Sequence, residues 1–408
     1  MKNYFEKYGY IAVTIFSSLV TFIKSYFFMD ILSKEDLGYM ALFQSMILIV
    51  NFFQMGVIYG GYRVISFSVL RQRKTNDAVV TYLFLLFLVL ISCVSILNFF
   101  ISVSWFWTIG IIVGLFSLWG NWISNMHIAL SRTNKLSLIT LSSIVLSFIA
   151  MPLLYSHSIY GAVTLVGLQP IFLVFFSYLF NKDFAFKLNF KSIVYLRLII
   201  KLGFVPFLTG ILHYINLQLE RWVIGLDLGM KALGEYYLVF VYVGLFSVVP
   251  GALGNLNFPK FMKALAQNSS SKRDLIRIFR LYYLEILTYL VVITFGTFYI
   301  MPWLIKAILP MHEAGIRYVQ IVIVGLLFFT LLDPISFVIN AKLHYRELLF
   351  IYISALLISV LCYCFLYFNR LGSLESYSYV SVIFYLSVSL GYIMYFLLKG
   401  IKSYNVNN

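Results

Sequence analysis

Long apolar runs separated by short polar segments set the reading of this chain. Runs able to cross a hydrocarbon core of roughly 30 Å occur at Tyr8–Met29, Leu37–Gly61, Val79–Val103, Phe106–Leu130, Leu136–Tyr155 and Ile159–Phe180. Six more lie at Leu198–Leu226, Tyr236–Phe258, Leu281–Ile300, Tyr318–Ile339, Leu348–Phe368 and Tyr377–Leu398. Water is absent at that depth, so each run must satisfy its own backbone and is expected to be helical. The pattern predicts an all-α integral membrane protein of about twelve transmembrane helices.

A short pattern recurs at a constant offset of 196 residues: Ile31-Leu32, Leu37-Gly38 and Leu42 return as Asp227-Leu228, Leu233-Gly234 and Leu238. Each copy follows the first helix of a six-helix set. Six is even, so both sets enter the membrane in the same sense, and the expected relation is a pseudo-twofold axis along the membrane normal. The expected bundles are residues 1–197 and 198–408.

Composition agrees: 62% of the residues are hydrophobic and 11% charged, with mean hydropathy +0.93. That is too little charge to cover a soluble protein. The 40 Phe and 31 Tyr suit lipid contact and the two membrane interfaces. A net charge of +15 would suggest nucleic acid in a soluble chain, but here the basic residues collect in alternate loops. Twenty-one Lys and Arg fall on one side, including Arg71, Arg73, Lys74, Lys187 and Arg277, against Lys34, Lys231, Lys306 and Arg370 on the other. This bias places both termini, and the Arg63–Asp77, Asn181–Arg197 and Pro259–Arg277 loops, in the cytoplasm, and it excludes a nucleic-acid partner. The first run is long and lacks a small-residue cleavage site, so it reads as an anchor.

Catalytic signatures are missing. The longest hydrophilic stretch, about Pro259–Arg280, is too short for a nucleotide-binding or glycosyltransferase domain, and no Walker A loop, HExxH, GxSxG or Asp-x-Asp is present. Cys93, Cys362 and Cys364 form no disulfide framework or zinc site. The chain is expected to be neither an enzyme nor a cofactor or metal protein.

Polar residues inside the runs carry the candidate chemistry, because a charge at a helix centre costs a few kcal/mol and needs a partner, a wet cavity or an escape. Lys24 in the first helix is either a cationic contact for a phosphate or a lysine snorkelling to the interface. His213, Asn216 and Glu220 fall on one face of the seventh helix, with Arg221 beside them. Glu220 is a candidate titrating or cation-binding group and Arg221 an anion contact; the alternative is an ion pair closing the helix end. Asp333 precedes Pro334 in the tenth helix, which suits an ion site or a carboxyl capping the freed backbone of a kink. Ser117, Asn121 and Asn125 in the fourth helix, and Gln44 and Asn51 in the second, make stripes that fit inter-helix contacts or a polar cavity wall. The eighth helix ends in Pro250, Gly251, Gly254, Asn255, Asn257 and Pro259, which suggests an irregular end.

From Leu32 to Leu42, acidic residues followed by Leu37-Gly38-Tyr39 resemble the first-loop pattern of polysaccharide biosynthesis flippases. In the second half, Leu202-Gly203-Phe204-Val205-Pro206, Glu220-Arg221 and Leu233-Gly234-Glu235-Tyr236-Tyr237 resemble the Gly-x-Pro, Asp-Arg and Leu-Gly-x-Tyr succession of the same family, with Glu220 where the family usually has Asp. The chain thus resembles the Wzx-type O-antigen flippases of the multidrug/oligosaccharidyl-lipid/polysaccharide exporter superfamily. That resemblance implies alternating access between two bundles in a bacterial inner membrane. It also implies an undecaprenyl-pyrophosphate-linked oligosaccharide as cargo, with a polysaccharide polymerase and chain-length regulator as partners beside the membrane lipids, while the membrane-depth carboxylates suggest coupling to a proton or sodium gradient. On this reading Lys24, Arg221, Asn51, Asn121 and Asn125 bind substrate, and Glu220, Asp333 and His213 couple the ion. Competing readings are a multidrug or cation exporter, which would favour an acidic cavity, and a membrane-embedded polymerase or ligase, which would carry a long outer loop.

Overall fold

The computed structural model describes residues 2–101, 105–130, 132–180, 188–266, 272–341 and 344–399. Fifteen α-helices are found there and no strand. They divide into two compact units, Met1–Ile211 and Leu212–Asn408, where the sequence reading set the boundary between 197 and 198. Eleven helical segments are long and apolar enough to span a membrane. The fifth expected run is the shorter apolar helix Thr133–Ile149, whose 17 residues reach about 25 Å at 1.5 Å per residue. The chain is a multi-pass membrane protein of the expected all-helical class.

The first unit contains α1 (Lys2–Ile31), α2 (Lys34–Val50), α3 (Val57–Phe67), α4 (Gln72–Ile101), α5 (Trp105–Ala129), α6 (Thr133–Ile149), α7 (Pro152–Phe180) and the first half of α8 (Leu196–Asp227). The second contains the rest of α8, α9 (Met230–Glu235), α10 (Tyr237–Ala266), α11 (Lys272–Phe295), α12 (Met301–Ile308), α13 (Gly315–Ala341), α14 (Tyr345–Phe368) and α15 (Leu374–Lys399). Helix α2 starts at Ser33, whose Oγ accepts the Asp36 N–H at 3.1 Å, with Glu35 and Asp36 in the first turn, where carboxylates complement the helix dipole.

The same pairing recurs within each unit. In the first, α2 packs on α5, α5 on α7 and α6 on α7; in the second, α10 packs on α13, α13 on α15 and α14 on α15. Counted by spans, these are second with fourth, fourth with sixth and fifth with sixth in both. Leu37 and Leu233, the repeated residues, are fully buried as each unit's second span begins.

Several boundaries depart from expectation. The second run is not one helix: after α2 and a short 3-10 turn, Met55 (φ 49°) and Gly56 (φ 80°) adopt left-handed backbone and the chain restarts as α3. The restart is set by packing, since a Cβ at Gly60 or Gly203 would collide with backbone of the facing helix, Ile199 in one case and Gly56 in the other. The loop expected after Tyr155 is a kink at Ser158 (φ 51°) inside α7, and the turn out of α6 comes earlier. The irregular end expected around Pro250 to Pro259 is absent: α10 continues to Ala266. Likewise α13 runs through Pro334 from Gly315 to Ala341. Apolar surroundings offer no solvent to freed carbonyls, so helices tolerate proline where neighbours re-satisfy them. Ser271, Lys182 and Lys187, in the expected cytoplasmic loops, lie outside the described residues.

Candidate functional site

Polar chemistry gathers at a separate place in each unit. In the first, Lys24 is 4% exposed, and its Nζ donates to Ser147 Oγ of α6 at 2.6 Å. Ser147 in turn donates to the Ile144 carbonyl at 2.8 Å. The ammonium is therefore buried against a neutral hydroxyl and does not reach out of the helix to an interface. The described carboxylates of this unit, Glu6, Asp30, Glu35, Asp36 and Asp77, all lie within two turns of a helix end.

Between α2, α5 and α7 is a cavity of about 250 Å³, lined by Ser117, Asn121, Ser124, Val166, Gln169 and Pro170 among others. Small residues bring these helices together beside it: a Cβ at Gly114 would lie 2.7 Å from Val50, and one at Gly167 would lie 2.8 Å from Val113. Asn121 Nδ2 donates to Asn51 Oδ1 at 3.1 Å, Asn51 Nδ2 donates to the Ile47 carbonyl at 3.1 Å, and Asn125 Nδ2 donates to the Asn121 carbonyl at 2.8 Å. The structure thus joins Asn51, Asn121 and Asn125 through one amide chain, with Asn121 on the cavity wall. Gln169 was not singled out from sequence; the Gln-Pro step was its signal. A proline cannot donate to the carbonyl four residues back, so Pro170 leaves the Val166 carbonyl free, and Val166 also lines the cavity. The wall offers amide donors, amide and carbonyl acceptors and hydroxyls, without charge. It is smaller than the roughly 300–1,000 Å³ of a whole-ligand pocket, a size that fits one part of a larger ligand.

In the second unit the stripe on α8 faces inward. Asn216 is fully buried and Glu220 is 2% exposed. His213 stacks on Phe329, with ring centroids 5.3 Å apart and planes within 6°. Tyr236 Oη donates to Glu220 Oε1 at 2.7 Å and lies 3.0 Å from Ser378 Oγ, which donates to the Leu374 carbonyl. This chain accommodates either charge state of the carboxyl: Tyr236 donates to a charged Glu220, and a neutral Glu220 can donate to Tyr236, whose hydrogen turns to Ser378. Arg221 points elsewhere, with its guanidinium 4.3 Å from the Phe240 ring centroid, a cation–π contact. Neighbouring positions on a helix differ by about 100°, which is why Glu220 and Arg221 meet different partners.

Asp333 accepts from Tyr282 Oη at 3.2 Å and from Ser336 Oγ at 3.0 Å, and nearby Asn257 donates to Glu285 at 3.0 Å. At the other end of the unit, Tyr377 donates to Asp227 at 2.5 Å. Three carboxylates of this unit are thus each bonded to a tyrosine. Tyr236 stood in the sequence reading only as part of the Leu-Gly-x-Tyr pattern, and Tyr282, Tyr352, Tyr377, Tyr385 and Tyr392 were not candidates at all. Their signal was a Ser/Tyr stripe at helical spacing along α15, at Ser378, Ser381, Tyr385, Ser389 and Tyr392, all at most 3% exposed.

No family model matches the sequence, and no curated protein matches it. Solved structures do match in fold. An inward-facing multidrug resistance MATE family transporter of the MOP superfamily superposes with TM-score 0.66 at 14% identity, covering 96% of this chain and 97% of that one. The lipid II flippase MurJ in an inward closed conformation gives TM-score 0.64 at 13% identity, covering 94% and 86%. A MOP superfamily transporter from Pyrococcus furiosus, described as having a binding pocket of reverse polarity, gives 0.62 at 12%, covering 95% and 94%. Over nearly its whole length, therefore, this chain has the fold of the MOP superfamily transporters.

Proposed function

We propose that this protein is a flippase that moves an undecaprenyl-pyrophosphate-linked oligosaccharide from the cytoplasmic to the periplasmic leaflet of a bacterial inner membrane. The observation that carries the proposal is the polarity of the first unit. Its interior offers a buried lysine and an uncharged amide and hydroxyl cavity, while its described carboxylates stay near helix ends. A pyrophosphate headgroup needs cationic, hydrogen-bonding contacts, and sugar hydroxyls need paired amide donors and acceptors. A cationic drug would need the opposite. Lys24 and Arg221 are assigned to the pyrophosphate, and Asn51, Asn121 and Asn125, with Gln169, to a sugar. His213, Glu220 and Asp333 are assigned to coupling, through a carboxyl that changes charge during the cycle. The repeat supports two six-helix bundles, 1–197 and 198–408, working by alternating access, and the loop charge bias supports both termini in the cytoplasm. A polysaccharide polymerase and a chain-length regulator would receive the flipped unit.

The cation exporter is favoured by one observation, the buried Glu220 and the half-buried Asp333, each bonded to a tyrosine of the second unit. Deleting the gene in its host separates the two. The flippase reading expects lipid-linked oligosaccharide to accumulate on the cytoplasmic leaflet while surface polysaccharide disappears. Intact surface polysaccharide with new sensitivity to cationic dyes would overturn it.

A further inference from the structure

Two hydrogen-bonded clusters lie in the second unit, and unpartnered polar groups occur between them. The first cluster is Glu220, Tyr236 and Ser378. In the second, the hydroxyls of Tyr352 and Tyr392 are 3.0 Å apart, Tyr392 is in hydrogen-bond contact with Ser336, and Ser336 bonds to Asp333. Tyr385 lies in the aromatic group beside them: its ring centroid is 6.2 Å from that of His213, which shares one face with Glu220 on α8, and the Tyr352 ring is 6.4 Å from the same His213. It is 1% exposed, and its hydroxyl has no hydrogen-bond partner in the protein. Both amide atoms of the fully buried Asn216 share that condition, as does Nδ1 of His213, whose ring lies 6.2 Å from that of Tyr385.

Buried polar groups in folded proteins almost always find a partner, and ordered water supplies it when the protein does not. Asn216 shares a helix face with Glu220, one turn away, so these orphaned atoms belong to the gap between the clusters. From Tyr385 to Tyr392 is two turns of α15, about 10 Å, a distance that a few hydroxyls and waters can bridge.

We infer that a water-linked hydroxyl relay inside the second unit carries protons between Glu220 and Asp333, with Tyr385 as the residue that closes the circuit. A proton accepted by Glu220 passes to water held by Asn216 and His213. Tyr385 takes that proton on oxygen as it releases its own toward Tyr352. The same hop repeats through Tyr352, Tyr392 and Ser336, and Asp333 ends protonated while Glu220 returns to carboxylate, so the net transfer is one proton. Other groups face this path. Arg221 adjoins Glu220, Tyr363 of α14 lies near both Glu220 and Tyr385, and Tyr282 and Glu285 of α11 adjoin Asp333. Asp227 with Tyr377 marks the opposite end, where protons would enter from the periplasm. The relay rests on the coupling role proposed for Glu220 and Asp333, and it makes the two carboxyls successive stations of one path.

The test uses the full-length protein in right-side-out proteoliposomes without cargo. An outside pH step is followed by time-resolved infrared absorption of the protonated carboxyl bands, assigned with Glu220→Gln and Asp333→Asn. Tyr385→Phe removes a hydroxyl that no protein group uses and keeps the ring against Phe329, so the fold should hold. The expected result is that Glu220 responds at the wild-type rate while Asp333 lags by about a hundredfold, the order lost when a positioned proton-transfer group is removed. Tyr352→Phe should behave in the same way, and Tyr214→Phe, an exposed tyrosine of α8, should leave both bands unchanged. Asp333 following at the wild-type rate in both relay variants overturns the relay while leaving coupling intact. Wild-type carboxyls that ignore the step overturn coupling and relay together. The cargo plays no part, so an error about the oligosaccharide would not move these traces.

Discussion

Replacing Lys24 with methionine separates a lysine that serves a ligand from one that serves the fold. In the structure the ammonium is buried and bonded to Ser147 Oγ at 2.6 Å. The substitution removes a hydrogen bond to a charged group, about 1.5–3 kcal/mol. It also removes a charge whose placement within the membrane costs up to about 2.5–3.5 kcal/mol on insertion scales. Ser147 keeps its bond to the Ile144 carbonyl, so no buried donor is orphaned, and methionine fills nearly the same volume. Stability should therefore stay level or rise by about 1 kcal/mol. Transport should behave differently. Losing one charge-assisted contact to pyrophosphate, about 1.5–3 kcal/mol, slows flipping by roughly 10- to 150-fold. Lys24→Arg should keep part of the activity. The assay pairs flipping of a fluorescent lipid-linked oligosaccharide in proteoliposomes with thermal unfolding in detergent. A stable Lys24→Met protein flipping near the wild-type rate would refute the phosphate role. A lowered unfolding temperature would instead make Lys24 a structural tie between α1 and α6.

Three further outcomes are expected. Asn121→Ala and Gln169→Ala should each weaken apparent cargo affinity several-fold, about 1 kcal/mol per lost hydrogen bond, with little change in maximal flux, read from the concentration dependence of flipping. Glu220→Gln and Asp333→Asn should each make flipping indifferent to an imposed proton gradient that accelerates the wild type, whereas wild-type flipping indifferent to both proton and sodium gradients would end the coupling proposal. Leu70→Cys, at a position 98% exposed between α3 and α4, should react with an impermeant maleimide only from the cytoplasmic side; reaction from outside intact spheroplasts would invert the orientation.

The sequence by itself determined the class of fold and the direction in which the helices face. Apolar run lengths marked the helices that enter the membrane, because backbone without water must close its own hydrogen bonds. Helical periodicity sufficed to turn His213, Asn216 and Glu220 inward together, since residues three and four apart share a face whatever they pack against. What periodicity could not supply was partners. Ser147 meets Lys24 across 123 residues of chain, Tyr236, bonded to Glu220, meets Ser378 across 142, and Tyr385 reaches its neighbours only because α13, α14 and α15 pack together. Nor could the run of apolar residues from Leu37 to Gly61 reveal its break at Met55 and Gly56, which comes from the approach of Gly60 to Ile199 on α8. Proline misled in the other direction: read locally it should have made the end of α10 irregular and kinked α13, but in apolar surroundings the remaining helical bonds keep both continuous. Local sequence thus set which atoms must be buried, and the packing of distant helices decided which of them meet.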